Sequence, residues 1–157
     1  MTGAASPSTS GRQVLAEGER AYLVLLVVTL AFAGGLKVYD GIAELTGGAT
    51  HAWIAPMQRA SVILPLGLAE LSIAVLLVGP LRPVAATAAF AMAVLMAIAF
   101  SGILWSGRPT GTCGCFGRWE APVGAHLGIL AVLLISARAV WLATHRALRA
   151  PAPTRGG

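Results

Sequence analysis

The segment ASVILPLGLAELSIAVLLVG, residues 60–79, decides the fold class. It carries one charged residue, Glu70. At 1.5 Å per residue, a helix of this length crosses the ~30 Å of hydrocarbon in a bilayer. Because lipid offers no hydrogen bonds to the backbone, a spanning segment must satisfy its own backbone groups, which a helix does. The segment therefore predicts a transmembrane helix.

Three further apolar stretches of similar length occur at residues 21–39, 83–105 and 121–144. The chain as a whole is 57% hydrophobic and 11% charged, with a mean hydropathy of +0.79. These values are typical of a membrane protein. We therefore predict an all-α fold, an integral membrane four-helix bundle with one domain at residues 21–144.

The two flanks of this domain, residues 1–20 and 145–157, are rich in small residues and proline. They predict a disordered cytoplasmic N-terminus and a disordered cytoplasmic tail. The first span admits a second interpretation, because Ala31-Phe32-Ala33 resembles a signal-peptide cleavage site after an apolar core. The sequence leaves cleavage of this span open.

The net charge of +5 is distributed around the ends of the spans and forms no continuous stripe, so it does not predict nucleic-acid binding. A cytoplasmic excess of Lys and Arg instead sets membrane orientation. One side of the predicted bundle receives most of the basic residues, namely Arg12, Arg20, Arg82, Arg138, Arg146, Arg149 and Arg155. We therefore predict a multi-pass protein of the cell membrane. Both termini are predicted to be cytoplasmic, and the connection at 106–120 is predicted to lie on the extracytoplasmic side.

Three polar side chains inside or near the spans are candidates for a supporting polar site: Lys37, Glu70 and His126. An ionised carboxylate in the middle of a span requires a partner or a proton. Lys37 could reach inward to Glu70; alternatively, it extends to the outer headgroups and Glu70 is a neutral acid. For His126, a polar contact between helices is favoured over a metal ligand.

Both cysteines of the chain, Cys113 and Cys115, lie in the predicted outer connection, one glycine apart. A disulfide between residues so close in sequence requires a bend, which Gly114 permits, and closes too small a ring to stabilise a fold much. Three interpretations remain open: thiol–disulfide exchange, a metal site of two thiolates, and an inert clip. We name no metal ligands, because a zinc site would need two ligands besides the cysteines. No cofactor is evident, and no residue pattern demands the quinone that could accept electrons.

Three stretches resemble the MauE family of methylamine-utilisation proteins, within the wider DoxX-like group of redox-associated membrane proteins. They are GGLKVYD at 34–40, LPLGLAELSIAVLLVGP at 64–80 and SGRPTGTCGCFG at 106–117. The resemblance covers residues 22–138. In the family the last span usually opens with an Arg-Asn pair, whereas this chain has Ala125-His126.

The resemblance implies a membrane protein that assists extracytoplasmic thiol–disulfide exchange with a thioredoxin-like partner. In the family this serves maturation of the disulfide-rich β-subunit of methylamine dehydrogenase. On this interpretation Cys113 and Cys115 are the catalytic candidates, although the sequence leaves open whether the chain is itself an enzyme. The alternatives are a thiol-based metal-handling membrane protein and a non-catalytic assembly subunit with a permanent disulfide. The oligomeric state is not predicted.

Overall fold

The computed structural model describes residues 9–47, 59–106 and 122–149, with side chains from residue 17 onward. Regular structure in these ranges is helical, and each helix is long and apolar enough to cross a membrane. The helices are α1 (Thr9–Leu45), α2 (Ala60–Val78), α3 (Arg82–Trp105) and α4 (Val123–Arg149). This confirms the prediction of an all-α protein with four membrane-crossing helices.

Two helices extend beyond the predicted spans. Helix α1 begins at Thr9 and α4 ends at Arg149, so residues 9–20 and 145–149 are helical where disorder was predicted. Tertiary contacts explain part of this difference. The Arg82 guanidinium donates a 2.6 Å hydrogen bond to the Glu19 carboxylate, which ties the early part of α1 to α3. The remaining flanks lie outside the described residues.

The helices pack as a ring in which α1 and α3 each contact both α2 and α4. Neighbours in sequence run antiparallel. Gly41 of α1 packs on Leu64 of α2, and Phe90 of α3 stacks on Trp141 of α4. Consequently the last residues of α1 and α3 lie at the same end of the bundle as the first residues of α2 and α4. We call this the loop end, and the opposite end, with the short connection 79–81, the turn end.

Small residues on α3 form much of the buried centre. Ala85, Ala86, Ala89 and Ala93 are all almost fully buried, and they pack with leucines of the other helices such as Leu30. In lipid, where hydrophobic attraction between helices is weak, small side chains stabilise a bundle by allowing close approach. The alanine-rich sequence of α3 is thus explained by packing.

Candidate functional site

The crossing of α1 and α2 is tight because glycines face each other across it. A Cβ atom on Gly34 would lie 2.8 Å from the carbonyl oxygen of Gly67, and one on Gly67 would lie 2.8 Å from that of Gly34. Since these neighbours are backbone atoms, no side-chain movement could relieve the overlap. Glycine at both positions allows the two backbones to come this close.

An ion pair lies beside this glycine contact. The Lys37 Nζ donates to both carboxylate oxygens of Glu70 at 2.7 Å, and both side chains are 0% exposed. Gly34 and Gly67 each precede one member of the pair by three residues, which puts each glycine and its charged neighbour on one helix face. The close backbone approach therefore brings the two charged groups together.

The ion pair lies near the middle of the bundle. Glu70 follows Ala60, the first residue of α2, by ten positions, which is about 15 Å along the helix axis. A single charge at that depth costs roughly 2.5–3.5 kcal/mol on insertion scales, so two opposite charges in direct contact satisfy each other's requirement. Of the two arrangements considered for Lys37, the structure has the inward one.

His126 lies in the first turn of α4 and is nearly buried. Its ring stacks on Phe100 of α3, with centroids 5.6 Å apart and planes inclined by 12°. Its Nδ1 is 3.4 Å from the carbonyl oxygen of Pro122. The ring stacking joins the start of α4 to α3, whereas the contact with Pro122 lies within the first turn of α4 itself. Neither contact links His126 to the ion pair, and a polar contact of His126 with another helix stays a prediction.

The catalytic candidates Cys113 and Cys115 lie outside the described residues. The structure nevertheless describes where their connection begins and ends: α3 ends at Trp105 and α4 begins at Val123, both at the loop end. The connection between α1 and α2 leaves the bundle at this same end. Across the described ranges, no group of three or more His, Cys, Asp or Glu side chains is arranged to hold a metal ion.

Sequence reasoning missed Gly34, Gly67 and Phe100. The glycines did give a signal, because each lies three positions before a charged residue that itself falls in a span. Residues three positions apart share one helix face, and glycine allows close approach of a second helix, so this spacing indicates a close crossing beside a charged residue. Phe100 gave none, since one aromatic residue in an apolar helix is ordinary packing.

Comparison with protein families adds an independent finding. The family described as Methylamine utilisation protein MauE matches residues 18–144. The chain belongs to the MauE family. The match includes the crossing of α1 and α2, His126 and both cysteines. Because the family is associated with methylamine utilisation and the four helices are able to cross a membrane, this MauE protein is a multi-pass membrane protein associated with methylamine utilisation. No curated protein and no solved structure matches the chain.

Proposed function

We propose that this MauE protein assists thiol–disulfide exchange on the extracytoplasmic side of the membrane, through Cys113, Cys115 and a thioredoxin-like partner. The observation that carries the proposal is the position of the cysteines. The chain's two thiols are both found in a single short connection at the loop end. Exchange requires thiols that a protein partner can reach, and both cysteines lie in sequence between two spans and within neither.

Local chemistry favours exchange over a permanent clip. A disulfide normally needs Cα atoms 4.4–6.8 Å apart, and two residues separated by one position reach this range only with a bent backbone. The residue between them is Gly114, and glycine adopts such a bend at low cost. Exposed or strained disulfides are the more readily reduced ones, so the pair is suited to change its redox state.

The proposed exchange proceeds through a mixed disulfide. A thiolate of the pair attacks a sulfur of the partner's disulfide; that bond breaks, and the partner's other sulfur leaves as a thiolate. The second cysteine then attacks the mixed disulfide, leaving a Cys113–Cys115 disulfide and a reduced partner. Two electrons pass to the partner, and the reverse sequence returns them. Because the chain has two cysteines in all, a second external dithiol or disulfide must restore the starting state.

The buried polar residues act as positioning residues in this proposal. The contact between Lys37 and Glu70 fixes α1 against α2 beneath the loop end. His126, stacked on Phe100, fixes the first turn of α4 against α3, where the cysteine-bearing connection returns to the bundle. The His126 contact thus sets the place where the cysteine-bearing connection returns to the bundle, and the ion pair stabilises the neighbouring pair of helices.

Charge supports the proposed orientation. At the turn end, Arg20, Arg82, Arg146 and Arg149 lie on three different helices. Cytoplasmic segments carry such an excess of basic residues, so we assign the turn end to the cytoplasm and the loop end to the outside. Disulfides persist on the outer side, where a maturation partner for secreted disulfide-containing proteins would act.

Trapping thiols in intact cells tests the proposal. Cells are quenched with acid, free thiols are alkylated with a mass-tagged maleimide, and the protein is separated without reductant. We expect reduced and oxidised forms together, with a reductant-sensitive adduct to another protein that the Cys113→Ser/Cys115→Ser variant lacks. Complete oxidation under all growth conditions would indicate the permanent clip, and protection of thiols by added Cu(I) or zinc alone would indicate metal handling. Either result contradicts the proposal.

A further inference from the structure

An open groove lies between α3 and α4, on the turn-end half of the bundle. Its volume is about 470 Å³. Its lining is apolar apart from one hydroxyl and one imidazole, and consists of Pro83, Val84, Thr87, Ala88, Ala91 and His145. Because the groove opens sideways from a membrane-crossing pair of helices, it faces lipid.

Aromatic contacts hold the imidazole at the wall of this groove. His145 Nε2 and Thr87 Oγ1 are 3.3 Å apart, within hydrogen-bond distance. The His145 ring also lies against Trp141, with centroids 4.8 Å apart, and Trp141 stacks on Phe90 of α3. The groove therefore has a fixed polar position in an apolar wall.

Two arginines lie on the same face of α4 as His145. Arg138 precedes His145 by seven residues and Arg149 follows it by four, spacings that return to one helix face. We call Arg138, His145 and Arg149 the basic stripe. Both arginines are exposed on the surface of the bundle.

Arg138 is the unusual member of the basic stripe. It lies six residues, about 9 Å along the axis, before the end of the predicted span at residue 144, in the part of the membrane-crossing segment nearest the turn end. Throughout the part of the chain that the structure describes, salt bridges join Lys37 to Glu70 and Arg82 to Glu19, and neither involves Arg138. A lipid-facing arginine in this part of a span extends its side chain toward the headgroups, where an anion can pair with the guanidinium. The structure thus points to an anion from outside the chain.

We propose that the groove and the basic stripe bind one anionic phospholipid from the leaflet at the turn end. Its phosphate lies near His145, which is level with Thr87, with Arg138 and Arg149 on either side along α4, and one acyl chain passes Ala88 and Ala91 toward the middle of the membrane. Arg138 and His145 are about 10 Å apart along the helix axis, a gap that an extended arginine and a phosphate close together. A phospholipid supplies both the anion and the apolar tail, whereas a partner protein's carboxylate leaves the groove empty.

Native mass spectrometry of the full-length protein tests this inference, which is independent of the proposed function. Protein in mild detergent is offered phosphatidylglycerol or phosphatidylcholine with identical acyl chains. We expect retention of one phosphatidylglycerol in preference to phosphatidylcholine, and an affinity about fivefold lower in Arg138→Gln, as for one basic residue at a lipid surface. The matched control is Arg59→Gln, an exposed arginine at the loop end, which should bind as the unmodified protein does.

A second variant tests the groove and leaves the charges unchanged. Ala91→Leu adds volume to the lining, so we expect weaker phosphatidylglycerol binding with helical content unchanged by circular dichroism. Equal retention of the two lipids by the unmodified protein overturns the proposal, as does an unchanged affinity in Arg138→Gln or Ala91→Leu. Loss of a co-purifying protein from Arg138→Gln, with lipid retention intact, overturns it in favour of a protein carboxylate.

Discussion

The two antiparallel helix pairs of this bundle handle polar groups in opposite ways. The α1–α2 pair buries its charged side chains. Glycines bring the two backbones together, and Lys37 and Glu70 are fully buried beside them. The α3–α4 pair instead joins through rings, Phe100 with His126 and Phe90 with Trp141. Arg138 and Arg149 of α4 lie on the outer surface, where an apolar groove opens to lipid.

This difference indicates that the two helix pairs contribute unequally to the stability of the bundle. A closed crossing with an internal ion pair has one tightly determined arrangement, because separating the helices would leave two charges in an apolar medium. A pair joined by ring stacking and small residues has no such penalty, since ring contacts contribute only about 0.5–1.5 kcal/mol beyond the burial of area. We therefore expect changes in α1–α2 to cost more stability than changes in α3–α4.

Removing one charge should have the largest effect. We expect Lys37→Met to lower the free energy of unfolding by about 3–5 kcal/mol, because the Glu70 carboxylate loses the ammonium that donates to both its oxygens. Unfolding of the purified protein by SDS in mixed micelles, followed by circular dichroism, measures this. The control is the double variant Lys37→Met/Glu70→Met, which should be more stable than Lys37→Met alone. A double variant no more stable than Lys37→Met would contradict this account of the pair.

Adding one methyl group to the crossing should have the next largest effect. Gly34→Ala directs a Cβ onto the Gly67 carbonyl oxygen, so we expect a loss of about 1–3 kcal/mol in the same unfolding assay. The neighbouring glycine, Gly35, offers a matched control, because a Cβ atom on Gly35 would meet no atom within 4 Å. Gly35→Ala should be neutral or slightly stabilising. Equal effects of the two substitutions would show that the glycine contact is not tight.

Loss of one ring from α3–α4 should have a smaller effect. Phe100→Leu keeps most of the buried volume but removes the stacking on His126, so we expect a loss of about 1 kcal/mol. Ile98→Leu, at an exposed position on the same helix, provides the control and should change nothing measurable. A loss as large as that of Lys37→Met would remove the contrast between the two pairs.

The surface ion pair at the turn end should have the smallest effect. The side chains of Glu19 and Arg82 are 38% and 32% exposed, so solvent screens their attraction. We expect Glu19→Gln to lower the free energy of unfolding by less than about 1 kcal/mol, with the difference shrinking as salt is raised. A loss of several kcal/mol that is insensitive to salt would mean that this contact belongs with the buried pair.

Hydropathy was sufficient to predict the four helices, because length and apolar composition decide whether a segment crosses a membrane. It did not predict where the helices end. Helix α1 continues through the polar residues before Ala21 because contacts such as Glu19 with Arg82 act across the fold, and no local pattern records them. Helix α4 likewise continues to Arg149, through His145, which contacts α3.

For the site, the sequence identified Lys37, Glu70 and His126 as polar residues in spans but left two arrangements of the lysine open. Which one occurs depends on the distance between α1 and α2, and that distance is set by Gly34 and Gly67 facing each other. The hydropathy of two helices does not predict how they are rotated relative to each other. The partner of His126 was unpredictable for the same reason.

The central claim, exchange between Cys113, Cys115 and a thioredoxin-like protein, is tested most directly by covalent capture. The purified chain in lipid nanodiscs, as Cys113→Ser or Cys115→Ser, is mixed with a thioredoxin-fold protein whose resolving cysteine has been replaced and whose remaining thiol is activated as a mixed disulfide with thionitrobenzoate. We predict that at least one variant forms a one-to-one adduct that dithiothreitol dissociates, and that the Cys113→Ser/Cys115→Ser variant forms none. Absence of an adduct from both single variants, with their thiols freely alkylated by maleimide, would contradict the claim.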